Sequence, residues 1–290
     1  MIPTLAEVCT QALGLPAAPV LIPRILHVLS REDSSVAEFE SVVKLDTALA
    51  VSTLRLANSA YFSAGHNRVD NLGDAIQRLG QREIYRLAAL ALTGRWMNTP
   101  VKGFGWEASD FCRFSLVTAV AAEYLAEQTG RVEPQTAYTA GLLHEVGKLA
   151  VAYSCANHFG EIRERQESQG ITWLEAEKSV LGYNHAEVGA MLLRRWNFPE
   201  VLIAVAQYNP PTASAPAAAL PLLVHVHAAK FLATSMGPGV GDDGFLFNLN
   251  APLLSEWGIT NALLESALPV IFDRASRIMK EKLTYGQLSF

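Results

Sequence analysis

Gly141-Leu-Leu-His-Glu-Val-Gly-Lys148 sets two metal-type donors, His144 and Glu145, side by side in an otherwise apolar run of small residues. Adjacent donors in such a setting point to an active site, working or vestigial. The spacing predicts one helix from Thr136 to Ser154 carrying the pair. Pro134 stands just ahead of it, where a first-turn proline is tolerated. Whether chemistry follows depends on ligand partners elsewhere in the chain.

Outward from this stretch the pattern stays helical. Asp110 to Gln128 opens with a capping-type acid and closes before Gly130. Trp173–Leu181 reads as a further helix, Asn184 caps His185–Trp196, and Pro199 opens Glu200–Tyr208. After the loop Asn209–Pro216, Leu220–Thr234 is again helical. Upstream, Leu54, Leu56, Ala57 and Ala60 recur at helical spacing behind Asp46, whose carboxylate is placed to cap a helix start. Asp74–Leu92 presents Ile76, Leu79, Ile84, Leu87 and Leu90 as its inward face, with Gly80 ending one helix before another starts at Gln81. Gly237–Gly244 reads as the most flexible stretch, leading to helices around Ala251–Trp257 and Asn261–Lys282. Pro269 is expected to kink or split the last of these. No run of alternating β-branched residues or hairpin signal competes, so the fold class is all-α with short connections and no internal repeat.

With 290 residues, half of them hydrophobic and 18% charged, the chain can bury a large core and is no disordered regulator. A formal charge of −5 argues against a surface that tracks nucleic-acid phosphates. Arg163, Arg165, Arg194 and Arg195 are the candidates for a local basic patch, and solvated helix faces are their simpler reading. Cys9, Cys112 and Cys155 are widely separated, with no Cys-x-x-Cys pair, which fits reduced thiols in the cytosol rather than a zinc knuckle or a disulfide framework. Met1–Thr10 carries no basic residue of a secretory signal. Ala217–Ala233 is apolar, but Pro221, His225, His227 and Lys230 would all have to sit in lipid, so a buried core helix is expected there.

Two blocks carry a family resemblance. One is Val43-Lys-Leu-Asp-Thr-Ala-Leu-Ala-Val-Ser-Thr-Leu-Arg-Leu-Ala-Asn-Ser-Ala-Tyr-Phe62 with Asn71-Leu-Gly-Asp-Ala-Ile-Gln-Arg-Leu-Gly80. The other is Thr139-Ala-Gly-Leu-Leu-His-Glu-Val-Gly-Lys-Leu149 with His185-Ala-Glu-Val-Gly-Ala190 and Arg195-Trp-Asn-Phe-Pro-Glu200. Together with the opening Leu13-Gly-Leu-Pro-Ala-Ala-Pro-Val20, they resemble the HDOD family of bacterial signalling domains, relatives of the HD-type metal phosphohydrolases. The resemblance covers residues 14–235. It implies an all-α, two-lobed HDOD fold, with an N-terminal helical bundle (14–104) packed on an HD-like helical lobe (105–235). Residues 245–290 are then a C-terminal helical extension. It also implies a regulatory rather than metabolic role, alone or fused to receiver, kinase or cyclic-dinucleotide modules, for which this length leaves no room.

In HD hydrolases, histidines and aspartates hold metal ions that generate hydroxide and clamp a phosphate. The resemblance implies a first His on the preceding helix, the His-Asp pair and a late Asp. Here the first position falls at or near Phe114, whose ring has no lone pair to donate. The pair survives as His144-Glu145, one methylene longer than His-Asp. His185 matches a further histidine of multi-metal relatives, and Tyr208-Asn209 stands where relatives often show His-His. The late Asp falls near Lys230, with His225 and His227 permitting a small shift, and an ammonium there would repel a cation. His144, Glu145 and His185 are therefore candidates for a vestigial metal site. No catalytic residue, cofactor or bound metal is expected. Three ligands alone still leave open a zinc site with a free position, and hydrogen-bonded packing between helices is the other reading of the two histidines.

The expected function is a non-catalytic signal-transduction protein of the bacterial cytoplasm. It would act through signalling proteins or a small nucleotide-type ligand, sought in a cleft between the lobes near His144, Glu145 and His185. A divergent metal-dependent phosphohydrolase acting on a nucleotide or cyclic dinucleotide is the alternative. A nucleic-acid-binding regulator is a third reading, opposed by the acidic balance. The remaining candidates read as structural. Asn58-Ser59 is a helix end satisfied by its own polar groups. Trp96, Trp106, Trp173, Trp196 and Trp257 are too scattered for a base-stacking platform, and His225 and His227 lie on different helix faces. Cys112 and Cys155 sit in apolar helical contexts, and the glycine-rich stretch lacks the Lys of a phosphate loop.

Overall fold

Helix starts in this protein are set by short polar side chains that close back on their own amides. Ser35, Thr172 and Asn184 each accept from the N–H three residues on, while Glu38, Glu175 and Glu187 return the bond to the cap. Stops are set by glycines with positive φ, such as Gly130, Gly170 and Gly182. The computed structural model describes residues 2–13, 24–25, 27–28, 34–45, 47–63, 67–88, 101–107, 110–237 and 249–286. Asp46, Leu90, Trp96, 14–20 and 238–248 lie outside the described residues, and with them the expected cap, part of one apolar face and most of the glycine-rich stretch.

The helices are α1 (Leu5–Leu13), α2 (Val36–Val43), α3 (Thr47–Ala57), α4 (Ala60–Ser63), α5 (Leu72–Leu79) and α6 (81–88). They continue with α7 (Asp110–Thr129), α8 (Pro134–Leu143), α9 (Val146–Ser154), α10 (Phe159–Gln169), α11 (Trp173–Leu181) and α12 (His185–Arg195). The last are α13 (Glu200–Gln207), α14 (Leu220–Ser235), α15 (Ala251–Glu256) and α16 (Asn261–Gly286). Among the described residues the only β feature is an isolated bridge between Val101 and Trp106, so the chain is all-α.

The chain divides into two compact units, one of residues 1–16 and 96–284, the other centred on residues 17–95. In the second, α5 packs on α2 and α3, burying Phe39, Val43, Leu56 and Ala57 with Ile76 and Leu79, and Ile84 is buried on α6. Leu87 is only half-buried. Asn58 does more than finish its own helix. Its amide donates to Leu54 O and Val69 O, and its oxygen accepts from Val69 N–H, tying the strap before α5 to the end of α3.

The larger unit is built around α7, flanked by α8 and α14. The apolar stretch near residue 220 is a helix of this core: Leu222 to Ala229 are all buried, and Pro221 sits in the first turn. Among its histidines, His225 is held by Pro221 O and Thr129 Oγ1, both at 2.7 Å. α9 packs on α12, α12 on α13, and α1 returns to lie on α9 and α12. α16 runs through Pro269 as one helix, so the expected split does not occur. The proline is exposed, and Leu264, Ala267, Ile271 and Ala275 are buried on both sides of it. Apolar contact along the whole length outweighs the lost hydrogen bond.

Candidate functional site

The predicted helix 136–154 is broken at the His-Glu pair. α8 ends at Leu143, His144 and Glu145 form a turn, and α9 starts at Val146. Glu145 leaves helical geometry with φ −115° and ψ 21°. The His144 ring takes the Gly141 carbonyl through Nδ1 at 2.7 Å, the acceptor that a continuous helix offers to the Glu145 amide. The two glycines of the stretch fix where the break sits. A Cβ on Gly141 would come within 2.8 Å of Ala119 Cα and Thr118 O, so α8 meets the α7 backbone directly. A Cβ on Gly147 would lie 1.9 Å from His185 O, so the start of α12 presses on α9 there. Helix contact at this range brings His144, Glu145 and His185 into one neighbourhood.

His144 is fully enclosed. With Nδ1–H donated to Gly141 O, its Nε2 keeps a lone pair, lies 3.9 Å from Glu145 Oε1 and has no hydrogen-bond partner. Phe114 stands against it, ring centroids 6.0 Å apart. Burial drives the imidazole pKa down to about 4, against the pull of Glu145, so the ring is neutral near pH 7.

Glu145 is only 3% exposed, and both its oxygens are taken. Oε2 accepts from Lys148 Nζ at 2.7 Å, and Oε1 is ion-paired with Lys230 from α14. Burial alone would raise this carboxyl, but the two ammoniums hold it well below the usual carboxylate range. Lys148, 1% exposed, also lies 5.4 Å from the Phe104 ring and 6.0 Å from that of Trp106, whose faces favour its charge.

His185 is oriented by a carboxylate absent from the sequence reading. Glu177, 0% exposed, accepts from His185 N–H and Nδ1–H at 2.8 Å each, and from Trp173 Nε1–H at 3.0 Å. The Phe104 ring meets the His185 ring edge-on at 5.6 Å. His185 lies within electrostatic reach of Glu145, so the two share one neighbourhood. Two signals pointed this way: Glu145 and Lys148 are three apart, and Trp173 and Glu177 four apart, both facing spacings on helical backbone. Nothing local marks Glu177 as a partner of His185, because that pairing spans the α11–α12 turn.

A metal does not fit this set as it stands. Among the described residues no three His, Cys, Asp or Glu side chains gather closely enough to hold an ion. An ammonium on each oxygen of Glu145 adds repulsion. The arginines of the suggested basic patch sit on exposed faces of different helices. Arg165 and Arg194 approach Glu161 and Glu200 at 3.9 and 3.7 Å, and Arg195 bonds Thr10 Oγ1 at 3.1 Å.

A family model described as the HDOD domain matches residues 15–210. The chain belongs to the HDOD family. An HDOD domain protein with unknown function from Geobacter sulfurreducens shares the fold at TM-score 0.66 and 23% identity, over 99% of this chain and 98% of that one. A Shewanella amazonensis protein named "Putative phosphohydrolase" aligns at 0.62 and 26%, covering 98% and 97%. A "Putative signal transduction protein" of Marinobacter aquaeolei aligns at 0.72 and 24%, over 95% of this chain and 61% of that one. An uncharacterised protein of Treponema pallidum is 25% identical over 226 residues, 78% of this HDOD chain. This chain spans 43% of that relative's length.

Proposed function

We propose that this HDOD protein is a regulator in bacterial signal transduction that binds protein partners and performs no phosphoester chemistry. One observation carries the reading: each oxygen of Glu145 is held by a lysine, Lys148 on one side and Lys230 on the other. A carboxylate held between two ammoniums has its charge already compensated and sets their repulsion against any metal, so hydroxide generation at a bound ion has no starting point. His144, Glu145 and Lys148 are all buried, which disfavours a nucleotide-type ligand at this site and leaves partner recognition to the protein surface.

The test is elemental analysis of the purified full chain, coupled to turnover of bis(p-nitrophenyl) phosphate and cyclic dinucleotides with and without Mn²⁺. Substoichiometric metal and equal background rates for the natural protein and His144→Ala are expected. Stoichiometric metal, with turnover lost in His144→Ala, overturns the reading in favour of a divergent phosphohydrolase.

A further inference from the structure

We propose that Lys230 is the resident cation of this site, a covalently tethered ammonium standing where a divalent ion would otherwise lie. The inference rests on the non-catalytic reading above and extends it to why the scaffold keeps its shape. Three observations converge. The Lys230 ammonium is paired with Glu145 Oε1, the oxygen that faces His144 Nε2 across 3.9 Å. That Nε2 is buried with its lone pair unmatched, which a purely structural histidine avoids, and the Lys230 ammonium shares Glu145 with it without bonding the ring. His185 is fixed by a buried carboxylate through Nδ1, the way outer carboxylates orient metal-binding imidazoles, although no ion is needed to hold it here. The site has kept an anion and a nitrogen donor and takes positive charge from α14 as well as from Lys148 on α9.

A tethered cation differs from a bound one in that it cannot dissociate, be chelated or polarise water as a Lewis acid. It links the turn between α8 and α9 to α14 without any dependence on metal supply. It also excludes divalent ions, because an added ion meets both Lys148 and Lys230.

The experiment follows thermal unfolding of the full chain with EDTA, Zn²⁺ or Mn²⁺, for the natural protein, Lys230→His and Lys230→Met. The natural protein is expected to ignore all three additions. Lys230→His replaces the ammonium with a third donor beside His144 and Glu145. It is expected to gain about 5–10 °C in Tm with Zn²⁺ at a hundredfold excess over Kd. That gain should vanish on adding Glu145→Gln. Lys230→Met keeps the apolar stem without the charge and is expected to lose stability, part of which Glu145→Gln restores by removing the under-compensated carboxylate. A folded Lys230→His that ignores metal overturns the inference and leaves the non-catalytic reading standing. So does a Lys230→Met loss that Glu145→Gln does not relieve. A natural protein that itself binds metal stoichiometrically overturns both.

Discussion

His144 couples this site to pH. Burial lowers its pKa from 6.5 to about 4 in the folded chain, while the unfolded chain titrates at the ordinary value. As pH falls from 6.5 to about 4, the unfolded state takes up a proton that the folded state refuses. The His144 contribution is therefore complete above that window and is lost through it, by about 3 kcal/mol in all. His225, also lowered by burial, acts in the same direction. Glu145 adds a further loss at lower pH, since its folded pKa lies well below 4.5. His144→Asn keeps a donor towards Gly141 O and removes the titration. Urea midpoints measured from pH 7 to 4 should fall less steeply for that variant, and parallel slopes would refute the assignment.

At the level of elements, most of the fold was legible because helix signals are local. The cap Asn184, the first-turn Pro134, the stop at Gly130 and the apolar faces all act within a few residues, and the helices appear where those signals place them. What the sequence concealed is relational. The break at His144–Glu145 arises from the bond to Gly141 and from the approach of α12, neither of which leaves a mark on a helical repeat. Glu177 looked like one more polar helix residue until the fold brought His185 to it. α10, Phe159–Gln169, was missed because it buries only Phe159 and Ile162, too thin a stripe to stand out. The helix approach itself can be tested with two glycines. A Cβ at Gly147 would stand 1.9 Å from the His185 carbonyl, whereas one at Gly189 meets nothing closer than 3.3 Å. Gly147→Ala should cost roughly 3 kcal/mol or more, or prevent folding, because both neighbours are backbone. Gly189→Ala should cost about 1 kcal/mol or less. Equal Tm losses for the two would mean that the contact between α9 and α12 is not what sets their spacing.

In the whole molecule, residues 249–284, past the glycine-rich stretch, belong to the larger unit. Leu254, Ile259, Leu264 and Ile271 are buried, and Arg274 reaches Glu127 on α7 at 2.8 Å while lying over Tyr124. The apolar part dominates. Four aliphatic side chains at about 1.5–3 kcal/mol each outweigh a partly exposed ion pair worth about 1 kcal/mol or less. Deleting 249–290 should therefore lower stability by at least about 5 kcal/mol. Arg274→Ala alone should shift Tm by only a few degrees. A truncated chain with unchanged Tm would make this region an independent appendage.

The return of α1 onto α9 and α12 has a consequence for biosynthesis. Val8, Cys9 and Ala12 are buried in the finished protein, yet Tyr183, which donates to Pro3 O, follows it by 180 residues. At typical ribosomal speeds of about 5–20 residues per second, this helix spends roughly 10–40 s in the nascent chain before its docking surface is translated. Throughout that interval its apolar stripe is bare, and the intervening unit of residues 17–95 emerges in full. Early translation thus leaves an apolar helix uncovered, and the larger unit can close only once α12 has left the exit tunnel.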